Sequence, residues 1–320
     1  MTSYRIGSSG DDVMLIQKAL QDAGFYQSQP DGVFGPNTDA AVRNFQAASG
    51  LGGDGIVGPG TWAKLFPSQS PAPAPLSGSL DTCCLALTGS FETGRLSPDC
   101  FACVAGNFDG QGMSFGALQW NFGQGTLQPL LKQMFNNHLD VAATIFGSSL
   151  SQLQQAVNGG RDSAMSFAVS IQDTSGKSIK DPWKQMFRAL GLTPEYQAIQ
   201  VSSAAAYYGR ALSLCKDYGL WTQRGRALMF DISVQNGSIP DSVRSLILAD
   251  FRQVSPSLSA EDTELAKMRI VANRRAEAAR PAFVEDVRRR KLCIAEGKGV
   301  VHGITYDLAR QFGLDLESAD

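Results

Sequence analysis

Through most of the chain, apolar residues recur three and four positions apart with polar residues between them. That is the period of an amphipathic helix, not of a strand. In residues 4–66, Val13, Leu15, Ile16, Ala19 and Leu20 mark a first helix ending near Gly24. Ala40, Ala41, Val42 and Phe45 mark a second, and Trp62 and Leu65 a third. Beyond Leu80 the same period predicts helices over Leu127–Phe135 and Leu150–Val157, and another opening at Asp181-Pro182, where proline suits the first helical position. Glu195–Leu220 is a helical stretch rich in Ala, Tyr and Leu, in which Gly209 would admit a close neighbour. Arg224–Val234 is an apolar helix stopped by Asn236-Gly237. Ser259-Ala260-Glu261-Asp262 has the form of a capping box for a long helix reaching about Arg280, which Pro281 breaks. Period-two alternation is scarce, and only Gly106–Trp120 reads as a short hairpin. The expected fold is therefore mainly α: a small three-helix domain over 1–66 and a larger, helix-dominated α+β domain over 80–320.

Between them, Pro67–Ser79 alternates Pro with Ala and Ser. Such a linker favours extended polyproline II and spans up to about 40 Å at about 3.1 Å per residue. Tethering two domains this way raises the local concentration of one at the other's target.

Within the first domain, Asp31-Gly32-Val33-Phe34-Gly35-Pro36-Asn37-Thr38 is repeated as Asp54-Gly55-Ile56-Val57-Gly58-Pro59-Gly60-Thr61. Each copy sets a tight turn before a Thr expected to cap the following helix. This module resembles the peptidoglycan-binding domain type 1. The match runs through Gly10, Val13, Gln17, Leu20, Gly24, both turns, Val42, Phe45, Gln46, Gly50, Leu51, Trp62 and Leu65. The resemblance implies peptidoglycan as partner. With 4 Lys and Arg against 6 Asp, the module has no bulk attraction for an anionic wall, so recognition must rest on shape and hydrogen bonds.

The whole chain of 320 residues is 43% hydrophobic with net charge −2, which supports a sizeable core and gives no electrostatic case for nucleic acid. No stretch approaches the roughly 20 apolar residues of a membrane span, so no membrane insertion is expected. The basic run Arg288-Arg289-Arg290-Lys291 reads as the solvated face or C-terminal end of a helix. Met1–Gly7 lacks the apolar core of a signal peptide, which predicts synthesis in the cytoplasm and action on the wall after release through a holin or a secretion apparatus. Six cysteines include Cys100-Phe101-Ala102-Cys103 and the adjacent Cys83-Cys84, a pair poorly spaced for one ion. Disulfides or buried thiols are expected, with no metal and no cofactor. His138 and His302 are far apart in sequence, against a histidine nucleophile or a zinc amidase.

The candidate chemistry lies between Phe91 and Trp120. Glu92 follows Leu85, Leu87 and Phe91 and precedes Gly94, which places it at a helix end in apolar surroundings. Asp109 falls 17 positions later in a glycine-rich turn. An apolar setting raises a carboxyl pKa and suits a general acid, while a carboxylate in a polar loop stays ionised and suits a base. Glycoside hydrolysis needs that division of labour. The segments Phe91-Glu92, Asp109-Gly110-Gln111-Gly112-Met113-Ser114-Phe115-Gly116 and Phe230-Asp231 to Gln235-Asn236-Gly237 resemble the lysozyme superfamily, and in particular the family-46 chitosanases. Ser114–Gln119 is also similar to a segment of goose-type lysozymes and lytic transglycosylases, in which one Glu suffices.

The resemblance implies Glu92 as acid, Asp109 as base and Ser114 holding the water where chitosanases carry Thr. Gln111 stands where they carry Arg, which points away from chitosan. Gln119, Trp120 and Asn121 are expected along the sugar site, with packing in the core as the alternative. Asp231 and Gln235, one turn apart, are expected to face substrate or to brace the Gly106–Gly116 loop. Together these imply a monomeric, endolysin-like peptidoglycan hydrolase cutting between N-acetylmuramic acid and N-acetylglucosamine. The alternatives are a chitosanase or lytic transglycosylase, or a non-catalytic wall-binding or phage structural protein.

Overall fold

The computed structural model describes residues 4–66, 78–107, 110–173 and 177–319. The chain forms two compact units, Met1–Pro73 and Ala74–Asp320. Of the expected linker, residues 67–77 lie outside the described residues, as do Phe108 and Asp109.

In the first unit, α1 (Asp11–Asp22), α2 (Pro36–Ala48) and α3 (Pro59–Leu65) enclose a core that includes Val13, Ile16, Leu20, Phe34, Val42 and Val57. The repeated turn is organised by two buried glutamines. Gln17 Oε1 accepts from the backbone N–H of Asp31 and Gly32, and its Nε2 donates to Val33 O and Thr38 Oγ1. Gln46 does the same in the second copy, accepting from Gly55 N and donating to Ile56 O and Thr61 Oγ1. Thr38 and Thr61 therefore do not cap. Each lies inside its helix, and the N-cap positions are Gly35 and Gly58 without a side-chain cap. A buried amide that fills its donor and acceptor capacity fixes both turns where a hydroxyl cap alone would hold one N–H.

The second unit contains α4 (Leu80–Thr93), the strands β1 (Val104–Ala105), β2 (Ser114–Phe115) and β3 (Trp120–Asn121), then α5 (Leu127–Asn137), α6 (Leu139–Phe146), α7 (Leu150–Asn158), α8 (Gly160–Ser170), α9 (Trp183–Gly191), α10 (Pro194–Ser203), α11 (Ala205–Tyr218), α12 (Gln223–Gln235), α13 (Asp241–Phe251), α14 (Ala260–Glu277), α15 (Val284–Glu296), β4 (Lys298–Val301), β5 (Ile304–Asp307) and α16 (Leu308–Phe312). The mainly α expectation holds, with two small antiparallel sheets, β1-β2-β3 and β4-β5. The stretch expected as one helix over Glu195–Leu220 is two, parted at Ala204, and Gly209 is open to solvent rather than under a neighbour. The Ser259 cap forms as read, its Oγ accepting from Asp262 N at 3.0 Å.

This unit has two cores. One is built on α4, α11, α12 and α15 and includes Leu85, Phe91, Leu228, Phe230 and Ile294. The other is built on the three-stranded sheet and α5 to α10 and includes Phe115, Phe122, Leu131, Phe187 and Tyr196. Leu118 packs against both. Where they join, α4 lies so close to the turn after β2 that a Cβ on Gly89 would meet Ala117 Cβ at 2.7 Å and Cα at 3.1 Å. Gly89→Ala is accordingly expected to overpack this seam and cost about 1–3 kcal/mol, read as a lower urea midpoint at unchanged slope. An unchanged midpoint would contradict the close approach.

Candidate active site

Glu92 occupies the last turn of α4, which ends at Gly94 in the left-handed conformation that glycine adopts freely. Helical periodicity turns Phe91 into the core and leaves Glu92 on another face, with its side chain 32% exposed. Its neighbour is not apolar, as expected from the sequence, but a cation: Arg290 Nη2 approaches Glu92 Oε1 at 2.8 Å. Arg290 comes from the middle of α15, lies over the Phe91 ring at 5.0 Å, and is almost wholly buried.

Arg290 is held from behind by Asp231 on α12. Its Nε donates to Oδ1 at 2.8 Å and its Nη2 to the same oxygen at 2.6 Å. Asp231 is 0% exposed and also accepts from Lys291 Nζ at 2.6 Å and from Thr88 Oγ1 at 3.1 Å. Lys291 donates further to Gln235 Oε1 at 2.6 Å. Burial opposes ionisation of Asp231, but Arg290 and Lys291 outweigh it and hold the carboxyl at about 2. Burial pushes the Lys291 ammonium down to about 8; Asp231 opposes that, and Arg290 adds to it. The result is a chain of alternating charge, Lys291–Asp231–Arg290–Glu92, that points one carboxylate outward from a dry interior.

Two expectations are corrected here. Asp231 neither faces a ligand nor braces the Gly106–Gly116 loop, because it is sealed between α4, α12 and α15, whereas Gln235 is half-buried and gives its Oε1 to Lys291. The basic run on α15 is a solvated face only in part: Arg289 is exposed and Arg288 half-buried, but Arg290 and Lys291 are both buried. Periodicity alone hides this, since a buried cation declares itself only through its partner 59 or 60 positions away.

The glycine-rich turn forms the β1–β2 connection. Asp109 itself lies outside the described residues, but its flanks are fixed. Asn107 Oδ1 accepts from Gly112 N at 2.9 Å, and Gly112 (φ 77°) lies against Met165 and Ala168. Gln111 O accepts from Gly123 N, and Gly123 O accepts from Arg161 Nε. Ser114, half-buried, opens β2 opposite Ala105 and Asn121. Gln119, at φ 52°, folds its amide back onto Gly116 O at 2.7 Å. Trp120 is buried in the second core, and the Asn121 amide is spent on Gln124, its Oδ1 accepting from Gln124 N and its Nδ2 donating to Gln124 Oε1. Trp120 and Asn121 are therefore buried, as in the packing alternative, while Gln119 is half-buried with its Nε2 tied to the turn. Gln200, absent from the sequence reading, staples that turn. It is fully buried, its Oε1 accepting from Ala117 N at 2.8 Å and its Nε2 donating to Phe101 O at 2.9 Å.

The cysteines stand as buried or half-buried thiols, and burial pushes Cys100 and Cys293 up to about 12. Among the described residues no group of His, Cys, Asp or Glu is placed to hold a metal, and no helix is long and apolar enough to cross a membrane.

Fold and site together define a class: a two-unit protein in which a small helical repeat module precedes a mainly α unit that presents one carboxylate on a buried ion network. Residues 9–65 match the family described as "Putative peptidoglycan binding domain". Over 59 residues the chain is 52% identical to a spore cortex-lytic enzyme of Halalkalibacterium halodurans, covering 18% of this chain and 18% of that protein. Over 75 residues it is 41% identical to the N-acetylmuramoyl-L-alanine amidase CwlM of Mycobacterium tuberculosis, covering 20% and 18%. The chain thus spans about a fifth of the length of these relatives. Among solved structures, it aligns with a chitosanase complex at 16% identity and TM-score 0.42, over 73% of this chain and 99% of that one. It also aligns with the SleB N-terminal domain at 40% identity and TM-score 0.21, over 22% and 94%.

Proposed function

We propose that the protein is a modular peptidoglycan hydrolase. The first unit holds it to the wall, and the second cuts the β-1,4 bond between N-acetylmuramic acid and N-acetylglucosamine. The observation that carries this reading is Glu92, a partly exposed carboxylate fixed at 2.8 Å by a buried guanidinium and preceding a glycine-rich turn that contains a second carboxylate. Fixed aim is what a proton donor to a glycosidic oxygen requires. In this reading Glu92 protonates the leaving oxygen and Asp109 activates water on the opposite face of the sugar, at an inverting separation of about 6.5–9.5 Å. Ser114 helps hold that water, and Gln111 contributes to the substrate contacts. Arg290 and Asp231 act through Glu92 and are positioning residues. The match of residues 9–65 supports the wall as the target.

Purified peptidoglycan incubated with the full chain should lose turbidity and yield fragments with reducing muramic acid ends. Anhydro-muramic ends would instead mark intramolecular attack by the sugar and remove Asp109 from the mechanism. Wall binding without any product would overturn the enzyme reading in favour of a binding or structural protein.

A further inference from the structure

Cys100 and Cys103, which the proposed function leaves unused, share one 3₁₀ turn: Cys100 lies within Asp99–Ala102 and Cys103 is its C-cap. Such a turn eclipses side chains three positions apart. At about 2.0 Å of rise per residue their Cα atoms stand about 6 Å apart, inside the roughly 4.4–6.8 Å window of a disulfide. The sulfurs are near enough that a charge on Cys103 raises the pKa of Cys100.

The turn is held from several sides. Cys103 N donates to Cys100 O at 3.4 Å, and Cys100 Sγ donates to Ala86 O on α4 at 3.6 Å. Phe101 O accepts from Gln200 Nε2 at 2.9 Å. On the α9 side, a Cβ on Gly191 would meet Ala102 Cα at 2.5 Å and Phe101 O at 2.6 Å. Cys103 O accepts from Gly116 N at 2.9 Å, which ties the turn to the end of β2. Two thiols fixed this way lose little freedom on joining.

The two differ in access. Cys100 is fully buried, whereas Cys103 is half-buried; Cys83, Cys84, Cys215 and Cys293 are all buried in the first core. Burial raises the Cys103 thiol pKa, and Arg95, Gln119 and Arg188 beside its sulfur offset part of that rise. Arg188 is itself paired with Asp99 at 3.1 Å. Exchange with an external disulfide needs one sulfur that solvent reaches and a second close behind it to resolve the mixed disulfide.

We infer that Cys100 and Cys103 are a redox-active dithiol, oxidised to an intramolecular disulfide by low-molecular-weight disulfides. The Cys103 thiolate attacks one sulfur of the external disulfide and bonds to it, and the other sulfur leaves as a thiolate. Cys100 then loses its proton and attacks the Cys103 sulfur, and the second external thiolate leaves. The two protons released by the cysteines end on the two external thiolates. Two protein thiols are oxidised and one external disulfide is reduced to two thiols. In an oxidising medium the link fixes the carbonyl that anchors Gly116, while under reducing conditions the pair stays as thiols. The inference does not rest on the hydrolase reading.

The test is incubation of the folded full chain, well below its melting range, with oxidised glutathione, followed by intact mass and non-reducing peptide mapping. Wild type should lose two hydrogens, retain no glutathione and show the Cys100–Cys103 link. Its rate should rise from about pH 7 to about pH 9, because the thiolate is the attacking species. Cys100→Ser keeps a donor for Ala86 O and should stop with one glutathione held on Cys103. Cys103→Ser should take up none. Glutathione retained on wild type, a link to any other cysteine, or no reaction before the chain unfolds would overturn the inference. These outcomes are read on wild type alone, so a variant that fails to fold does not shield it.

Discussion

Glu92→Gln is expected to lower the release of reducing ends from peptidoglycan by roughly 10²–10⁴-fold, the usual worth of a positioned general acid or base. Gln has nearly the shape of Glu and keeps an oxygen for Arg290 Nη2, so the packing of α4 against α15 should survive; what disappears is the transferable proton. The melting temperature therefore serves as the control, and it should move little. Asp109→Asn, measured beside it, separates two mechanisms. Under the two-carboxylate reading it should fall by a similar factor, since nothing else in the glycine-rich turn can deprotonate water. If activity persists in Asp109→Asn and vanishes in Glu92→Gln, the sugar's own N-acetyl or hydroxyl group is the nucleophile. If Glu92→Gln retains wild-type release, the candidate active site is wrong.

Much of the architecture was legible because it is local. The helical period gave α5, α7 and α12 to within a few residues, and the repeated turn marked the first unit. The candidate acid was legible for the same reason, as an isolated carboxylate at a helix end before glycine. What the sequence withheld is long-range. Asp231 looked like a polar residue on a helix face one turn from Gln235, and Arg290 and Lys291 looked like part of a basic surface run. Each is costly alone in the interior and acceptable only beside the others. No window on the sequence contains all three, because Asp231 and Arg290 are 59 positions apart. The same holds for Gln200, whose hydrogen bonds cross 83 and 99 positions to Ala117 and Phe101. The threonines of the repeat were misread for a different reason: a hydroxyl before a helix usually caps it, and only the buried glutamines at positions 17 and 46 recruit it elsewhere.

Because the network's charges depend on one another, removing its shared carboxylate should do more damage than removing either cation. Asp231→Asn leaves Lys291 buried without a counter-charge and Arg290 with only the partly exposed Glu92, and is expected to cost roughly 3–5 kcal/mol. At about 2–4 °C per kcal/mol for a unit of this size, the melting temperature should fall by about 10 °C. Lys291→Met removes one buried cation, keeps the packing volume and leaves Asp231 with Arg290, so it should be close to neutral. Acid titration adds an independent check. Asp231 is held at about 2 in the folded chain against an ordinary value of 3.8, so its ionisation contributes about 2 kcal/mol of stability. The sign follows from the lowered value: the contribution is fully present above pH 3.8 and is lost as pH falls through about 2. Wild type should therefore lose stability steeply below pH 4, and Asp231→Asn should lack that part of the slope. Activity well below the melting range distinguishes support from mere packing. Freed from Asp231, Arg290 no longer holds Glu92 in one place, so folded Asp231→Asn should still turn over slowly, while Lys291→Met should keep most of its rate. Equal losses of stability in the two variants would mean that Lys291 anchors the network as firmly as Asp231 does, and that the aim of Glu92 does not depend on a single shared carboxylate.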